Sequence, residues 1–195
     1  KKGIAKANKK MERVAADGLV CIQENKNEFS IIEVNSETDF VAKNDEFIKF
    51  VEEISKLALL NFGKMDDILN SKMENKKTVN ENLISLISKI GEKITIRRSD
   101  YIGSKENINF SYTHSSVKNN MGKIGVLLSI KTNKKIEDVS EFGKQLAMHI
   151  AATSPISLDE KGLDKKILEK EKEIITEELK NSGKDSKIID KIALG

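Results

Sequence analysis

The chain has one cysteine, no tryptophan, two histidines and no long apolar run. A single thiol, Cys21, has no internal partner for a disulfide, which fits a reducing compartment. No apolar stretch reaches the roughly 18 residues that span a bilayer, and no signal-peptide pattern is visible. A glycine-rich GxxxxGKS phosphate loop is also missing, so nothing in the sequence points to direct nucleotide binding. His114 and His149 fall in different predicted elements, and neither has a Cys or carboxylate at metal-ligand spacing. The acidic group Glu37, Asp39, Asp45 and Glu46 lacks the spacing and central glycine of a calcium loop. Catalytic residues, metal and cofactor are therefore all predicted to be none. The chain also lacks an excess of one charge: 34 basic and 31 acidic side chains leave a net +3. That balance argues against nucleic acid, where phosphate contacts supply most of the affinity.

What is present is a globular pattern. With 195 residues, 38% of them hydrophobic, the chain is long enough for one large domain or two small ones. Residues 4–16 are predicted to form a helix that stops near Gly18. Strands follow over 19–23 and 28–35, joined where turn residues cluster at Asn25-Lys26-Asn27. From Asn44 to Leu60 an amphipathic helix places Phe47, Phe50, Val51, Ile54, Leu57 and Ala58 on one face, with Asn44 or Asp45 as its cap. Short helices over 65–70 and 80–90 precede strands over 93–101, 107–114 and 122–131. A helix over 136–153 is predicted to bury Ile136, Val139, Phe142, Leu146 and Ile150, with His149 packed beside that face.

Aligning Glu46-Phe47 with Glu141-Phe142 also aligns the strand at Ser30–Val34 with the one at Gly125–Ser129. A strand followed by a helix thus occurs twice at one offset. The predicted class is α+β: two related subdomains with antiparallel sheets covered by helices, divided near residue 107. The expected parts are a helix or linker over 1–17, core subdomains over 18–107 and 108–157, and a helical hairpin over 158–195. In that tail, Ile167/Leu168, Ile174/Ile175 and Leu179 recur at seven-residue spacing, Asn181-Ser182-Gly183 breaks the helix, and Ile188, Ile189 and Ile192 begin a second arm. This reads as a truncated coiled-coil hairpin.

Residues 33–47 carry the strongest signal. Asn35-x-x-Thr38-Asp39-Phe40-Val41-Ala42-Lys43 resembles the signature segment of the elongation factor Ts family, guanine-nucleotide exchange factors for elongation factor Tu. Further similar segments run along the chain: Lys9-Lys10, Arg13-Val14-Ala15-Ala16-Asp17-Gly18, Lys89-Ile90-Gly91-Glu92, Ile96-Arg97-Arg98, Ser111-Tyr112-Thr113-His114, Ile124-Gly125-Val126-Leu127 and Ala147-Met148-His149-Ile150-Ala151-Ala152. The resemblance implies that Thr38, Asp39, Phe40, Val41, Lys10, Ile90, Gly91 and His114 contact the GTPase partner, elongation factor Tu. It implies a translation role in the cytoplasm of a bacterium or the equivalent organellar compartment, with no direct nucleic-acid or membrane contact and no enzymatic step. Proteins of the family usually carry a helical domain before this region and a module after it, so a core fragment is expected here.

The residues themselves leave alternatives open. Phe40 would tuck into the core, with Asp39 capping a turn, if the connection served folding alone. Gly91 would merely end a helix, Lys10 would be a solvated lysine, and Arg97-Arg98 would be an exposed edge or part of an ion-pair network. The competing function is a structural protein that associates, for example as a homodimer, through the helical hairpin. Exposure of Phe40 separates the two readings.

Overall fold

The computed structural model describes residues 12–181. The chain divides into two units, Lys1–Thr153 and Ser154–Gly195.

The first unit starts from a hairpin. Strands β1 (Asp17–Asn25) and β2 (Glu28–Ser36) pair antiparallel from Asp17↔Ser36 to Asn25↔Glu28, and Lys26 takes a left-handed φ of 56° in the turn. Asn27 ties that turn to a later connection: its amide donates to the carbonyls of Ser104 (2.8 Å) and Asn107 (2.7 Å). Strand β3 (Ile94–Gly103) pairs with β2, with a bulge where Glu33/Val34 meets Arg97. Strand β4 is Asn107–His114, β5 is Met121–Gly122 and β6 is Ile124–Lys131. The first sheet has the order β3-β2-β1-β5, and β4 and β6 form a separate two-stranded sheet.

Period-two alternation sends opposite sets of side chains from the first sheet into two layers. Leu19, Cys21, Ile32 and Val34 face the helices. Those helices are α1 (Asp39–Ala42), α2 (Asp45–Leu60), α3 (Met65–Asn70) and α4 (Val79–Ile90). Phe47, Val51, Ile54 and Ala58 of α2 and Ile87 of α4 close this core. Val20, Ile22 and Ile31 face the other way, toward β6. There Gly125 permits the approach, because a Cβ at that position would lie 2.6 Å from Cδ1 of Ile31 and 3.1 Å from Cγ2 of Val20. The outer face of the second sheet is covered by α5 (Ile136–Thr153), with Val126, Ala147 and Ala151 at the contact.

Four expectations change. Residues 12–16 are not helical, and 4–11 lie outside the described residues, as does Lys10. Gly18 is not a helix stop but a residue of β1 with φ 131°, where a Cβ would sit 2.1 Å from the Val34 carbonyl oxygen. The strand expected over 122–131 is broken at Lys123, whose N–H donates to the His114 carbonyl (3.1 Å) while its ammonium group binds Asp17 and the Gly18 carbonyl. The chain thereby leaves one sheet for the other. Finally, α5 buries Val139, Gly143, Ala147 and Ala151; Ile136, Phe142 and His149 are exposed, and Leu146 and Ile150 are half-buried. The reason is the ring of Phe110, which lies so close to Gly143 that a Cβ there would be 2.4 Å from it. A row of small residues, not the row of large ones, therefore faces the sheet.

In the second unit a 3₁₀ turn at Glu160–Gly162 precedes α6 (Lys165–Asn181). Ile167, Ile174 and Ile175 are exposed on this helix, and the expected second arm at Ile188, Ile189 and Ile192 lies outside the described residues.

Candidate functional site

The connection from β2 to α2 folds as one helical turn, α1, with a divided character. Val41 and Ala42 are buried in the main core. Phe40, the residue just before them, is 80% exposed. On a helix, successive side chains project about 100° apart, so anchoring 41 and 42 inward sends 40 outward. Asp39 is part-exposed and accepts a hydrogen bond from the Lys43 ammonium group at 2.8 Å. That bond, followed by the direct charge attraction of Asp39, raises the Lys43 pKa above its ordinary value. Behind the turn, Asn44 caps α2, its side-chain oxygen accepting from the N–H groups of Glu46 (2.9 Å) and Phe47 (3.3 Å).

In front of the turn the chain is held by residues distant in sequence and by one local bond. Thr38 donates its N–H to one oxygen of Glu92 (3.1 Å) and its hydroxyl to the other (2.8 Å). Ser36, which is fully buried, donates its hydroxyl to the Thr38 carbonyl at 2.9 Å. In return, Glu37 accepts the Lys93 N–H at 2.5 Å and pairs with Arg13 at 3.2 Å. These bonds bring Thr38, Asp39 and Phe40 beside the end of α4, where Ile90 is half-buried and Gly91 takes φ 83° as the left-handed C-cap. Gly91 does end its helix, as its conformation requires.

His114 belongs to another neighbourhood. It is exposed at the end of β4, its Nδ1 3.0 Å from the Tyr112 hydroxyl, and no bond or ring contact joins it to residues 38–41. A groove of about 710 Å³ opens between the two sheets, lined by Asp17, Ile31, Glu33, Arg98, Asp100 and Lys123 among others, and none of the candidate contact residues among the described residues borders it. Arg97 and Arg98 lie on the edge strand β3 and both grip Glu33, at 2.9 and 2.6 Å. Partial burial acts to raise the Glu33 carboxyl, but the bonds from Arg97, Arg98 and Asn35 outweigh it and leave the pKa lowered. Among the described residues, no group of three or more His, Cys, Asp or Glu could hold a metal ion, and no helix is long and apolar enough to cross a membrane.

The arrangement is thus an exposed aromatic on a turn pinned at both ends. The protein-family model described as Elongation factor TS matches residues 37–195, beginning at this turn. The chain belongs to the elongation factor Ts family. It is similar to Elongation factor Ts of Methylorubrum populi, 44% identical over 193 residues, which cover 98% of this chain and 62% of the relative. Elongation factor Ts of Xanthobacter autotrophicus is 42% identical, covering 99% of this chain and 62% of the relative. That of Bartonella quintana is 41% identical, with 100% and 64% covered. The chain therefore spans under two thirds of the length of these relatives.

Within this elongation factor Ts fold, sequence reasoning missed Glu92 and Ser36 and took Glu37 only as part of an acidic group. Glu92 stood within the family-like segment Lys89-Ile90-Gly91-Glu92. Its partner, 54 residues away, gives no local signal.

Proposed function

We propose that the chain is a guanine-nucleotide exchange factor for elongation factor Tu, with Phe40 as a wedge and Asp39 as a directed polar contact beside it. The single observation that carries this reading is the 80% exposure of Phe40 on a turn whose next two residues are core. A connection that served folding alone would bury its aromatic, and the rival reading through hairpin association required that burial. Ile90 and Gly91 flank the same surface, so they join the wedge, whereas His114 meets the partner at a second point. Lys10 and Val41 complete the contact set, Val41 as the buried anchor of the turn. The core then acts as two related subdomains divided near residue 107, with the tail as a hairpin outside them.

The physical mechanism needs no bond made or broken by this chain. A GTPase holds GDP partly through Mg²⁺, which demands near-ideal octahedral oxygen geometry and tolerates displacement poorly. Burying the Phe40 ring between partner elements supplies about 2 kcal/mol, available to shift the groups that position the ion. Coupling is reciprocal: the factor by which the exchange protein weakens GDP is the factor by which GDP weakens the exchange protein. Cytoplasmic action follows from the partner.

The test is release of labelled GDP from elongation factor Tu with and without the chain. Phe40→Ala is expected to lower the accelerated rate while leaving the melting temperature nearly unchanged, since an exposed ring contributes little to folding. Exchange by the variant at the unsubstituted rate would refute the assignment.

A further inference from the structure

A single turn of helix does not hold itself together in water, because fixing its first dihedrals costs more than its few bonds return. The turn that carries Phe40 is four residues long. Thr38 occupies its N-cap position with φ −128° and ψ 157°, yet its side chain makes no cap bond. Both donors of Thr38, its N–H and its hydroxyl, go instead to a tertiary partner, Glu92, while its carbonyl accepts locally from the Ser36 hydroxyl. The lacing is two-way, for Glu37, next to Thr38, takes the N–H of Lys93, next to Glu92. Gly91, with its left-handed φ of 83°, ends α4 and sets Glu92 on its course toward Thr38.

We infer that Glu92 is the positioning residue of the Asp39-Phe40 turn, clamping it to the end of α4 so that the ring and the Ile90-Gly91 segment meet a partner as one rigid surface. This rests on the exchange reading of Phe40. A wedge transmits force only if its base does not swing, and Glu92 supplies the base. The chemistry calls for a carboxylate, which offers acceptors on both oxygens and no donor. Glutamine keeps an acceptor for the Thr38 N–H, and its NH₂ can donate to the Thr38 hydroxyl, which accepts as well as donates, so Glu92→Gln reverses one bond and removes the charge, whereas Glu92→Ala removes both bonds. Glu92 itself touches no nucleotide and acts through Thr38.

The experiment uses the full chain with Glu92→Gln, Glu92→Ala, Thr38→Val, the pair Thr38→Val/Glu92→Ala, and Phe40→Ala. GDP release from elongation factor Tu is measured against factor concentration, alongside thermal melting of each variant. Loss of positioning lowers the maximal release rate, about 10-fold for Glu92→Ala, while the half-saturating concentration changes little, because contacts elsewhere still supply uniform binding. The double variant should be no slower than Glu92→Ala alone, since the alanine already removes both acceptors of the clamp. Maximal rates preserved in Glu92→Ala, losses that only track the unfolded fraction, or additive effects of the pair would overturn the assignment. If Glu92→Ala fails to fold, Thr38→Val, which removes the hydroxyl bond at nearly constant volume, decides the matter by a lowered or a preserved maximal rate. Phe40→Ala separates the two levels: a slow Phe40→Ala with fast Glu92 variants sinks the clamp alone, whereas a fast Phe40→Ala sinks the exchange reading.

Discussion

The two sheets are each covered by a helix that follows a strand, and the two helices do the job by opposite means. On the first sheet α2 drives large side chains inward: Phe47, Val51 and Ile54 are completely buried. On the second, α5 lays Gly143, Ala147 and Ala151 against the strands and leaves Phe142 58% exposed. Small residues let a helix axis approach its neighbour closely, and the core then takes its volume from the other side, here the Phe110 ring. Aligned positions such as Phe47 and Phe142 therefore occupy unlike surroundings. A periodic row of apolar residues identifies a helix with two unequal sides, but which side faces the sheet depends on what the sheet presents.

Substitutions can break this contrast. Phe47→Ala should cost about 3–5 kcal/mol, the loss of a buried aromatic plus the cavity left behind, read by denaturant unfolding. Gly143→Ala comes next. Alanine gains about 1 kcal/mol of helix propensity, but its Cβ would fall 2.4 Å from the Phe110 ring. Overpacking of that kind costs about 1–3 kcal/mol, so net destabilisation is expected. A stabilised Gly143→Ala would mean that the close approach is not needed. Phe142→Ala, the counterpart of Phe47→Ala, should stay within about 0.5 kcal/mol.

A smaller effect sharpens the comparison at the edge strand. The Glu33 pKa is lowered in the folded protein by Arg97, Arg98 and Asn35, against the raising effect of burial. A depressed carboxylate contributes stability that is present above its unfolded pKa and is lost as pH falls through the folded value. Glu33→Gln removes that dependence. The difference in melting temperature between the two proteins should therefore be greatest near neutrality and shrink on acidification below the ordinary carboxylate range. A gap that stays constant with pH would place the stabilisation elsewhere.

Local signals were legible wherever one segment decides its own structure. Asn44 and Asp45 both read as caps because such side chains compete for the next N–H groups, and of the two it is Asn44 that binds Glu46 and Phe47 as a cap does. The Asn107–His114 strand and the Ile136–Thr153 helix likewise have the predicted bounds. The segment Thr38–Val41 stood out by resemblance, but whether Phe40 turned in or out stayed open. Burial of Val41 and Ala42 decided that, and burial is a property of the whole core.

By itself, then, the sequence determined the α+β succession of elements, the capped helix after the conspicuous connection, and the family. These depend on side-chain periodicity, backbone capping and residue identity, all of them short-range. Only the tertiary structure decided that Lys123 ends one strand and starts another, that α5 turns its small residues inward, and that Glu92 holds Thr38. Each of those rests on a partner from another part of the chain: Asp17 and His114, Phe110, and a hydrogen bond across 54 residues. Such contacts form only when the chain closes large loops, and the entropy of that closure is repaid by the packed core as a whole.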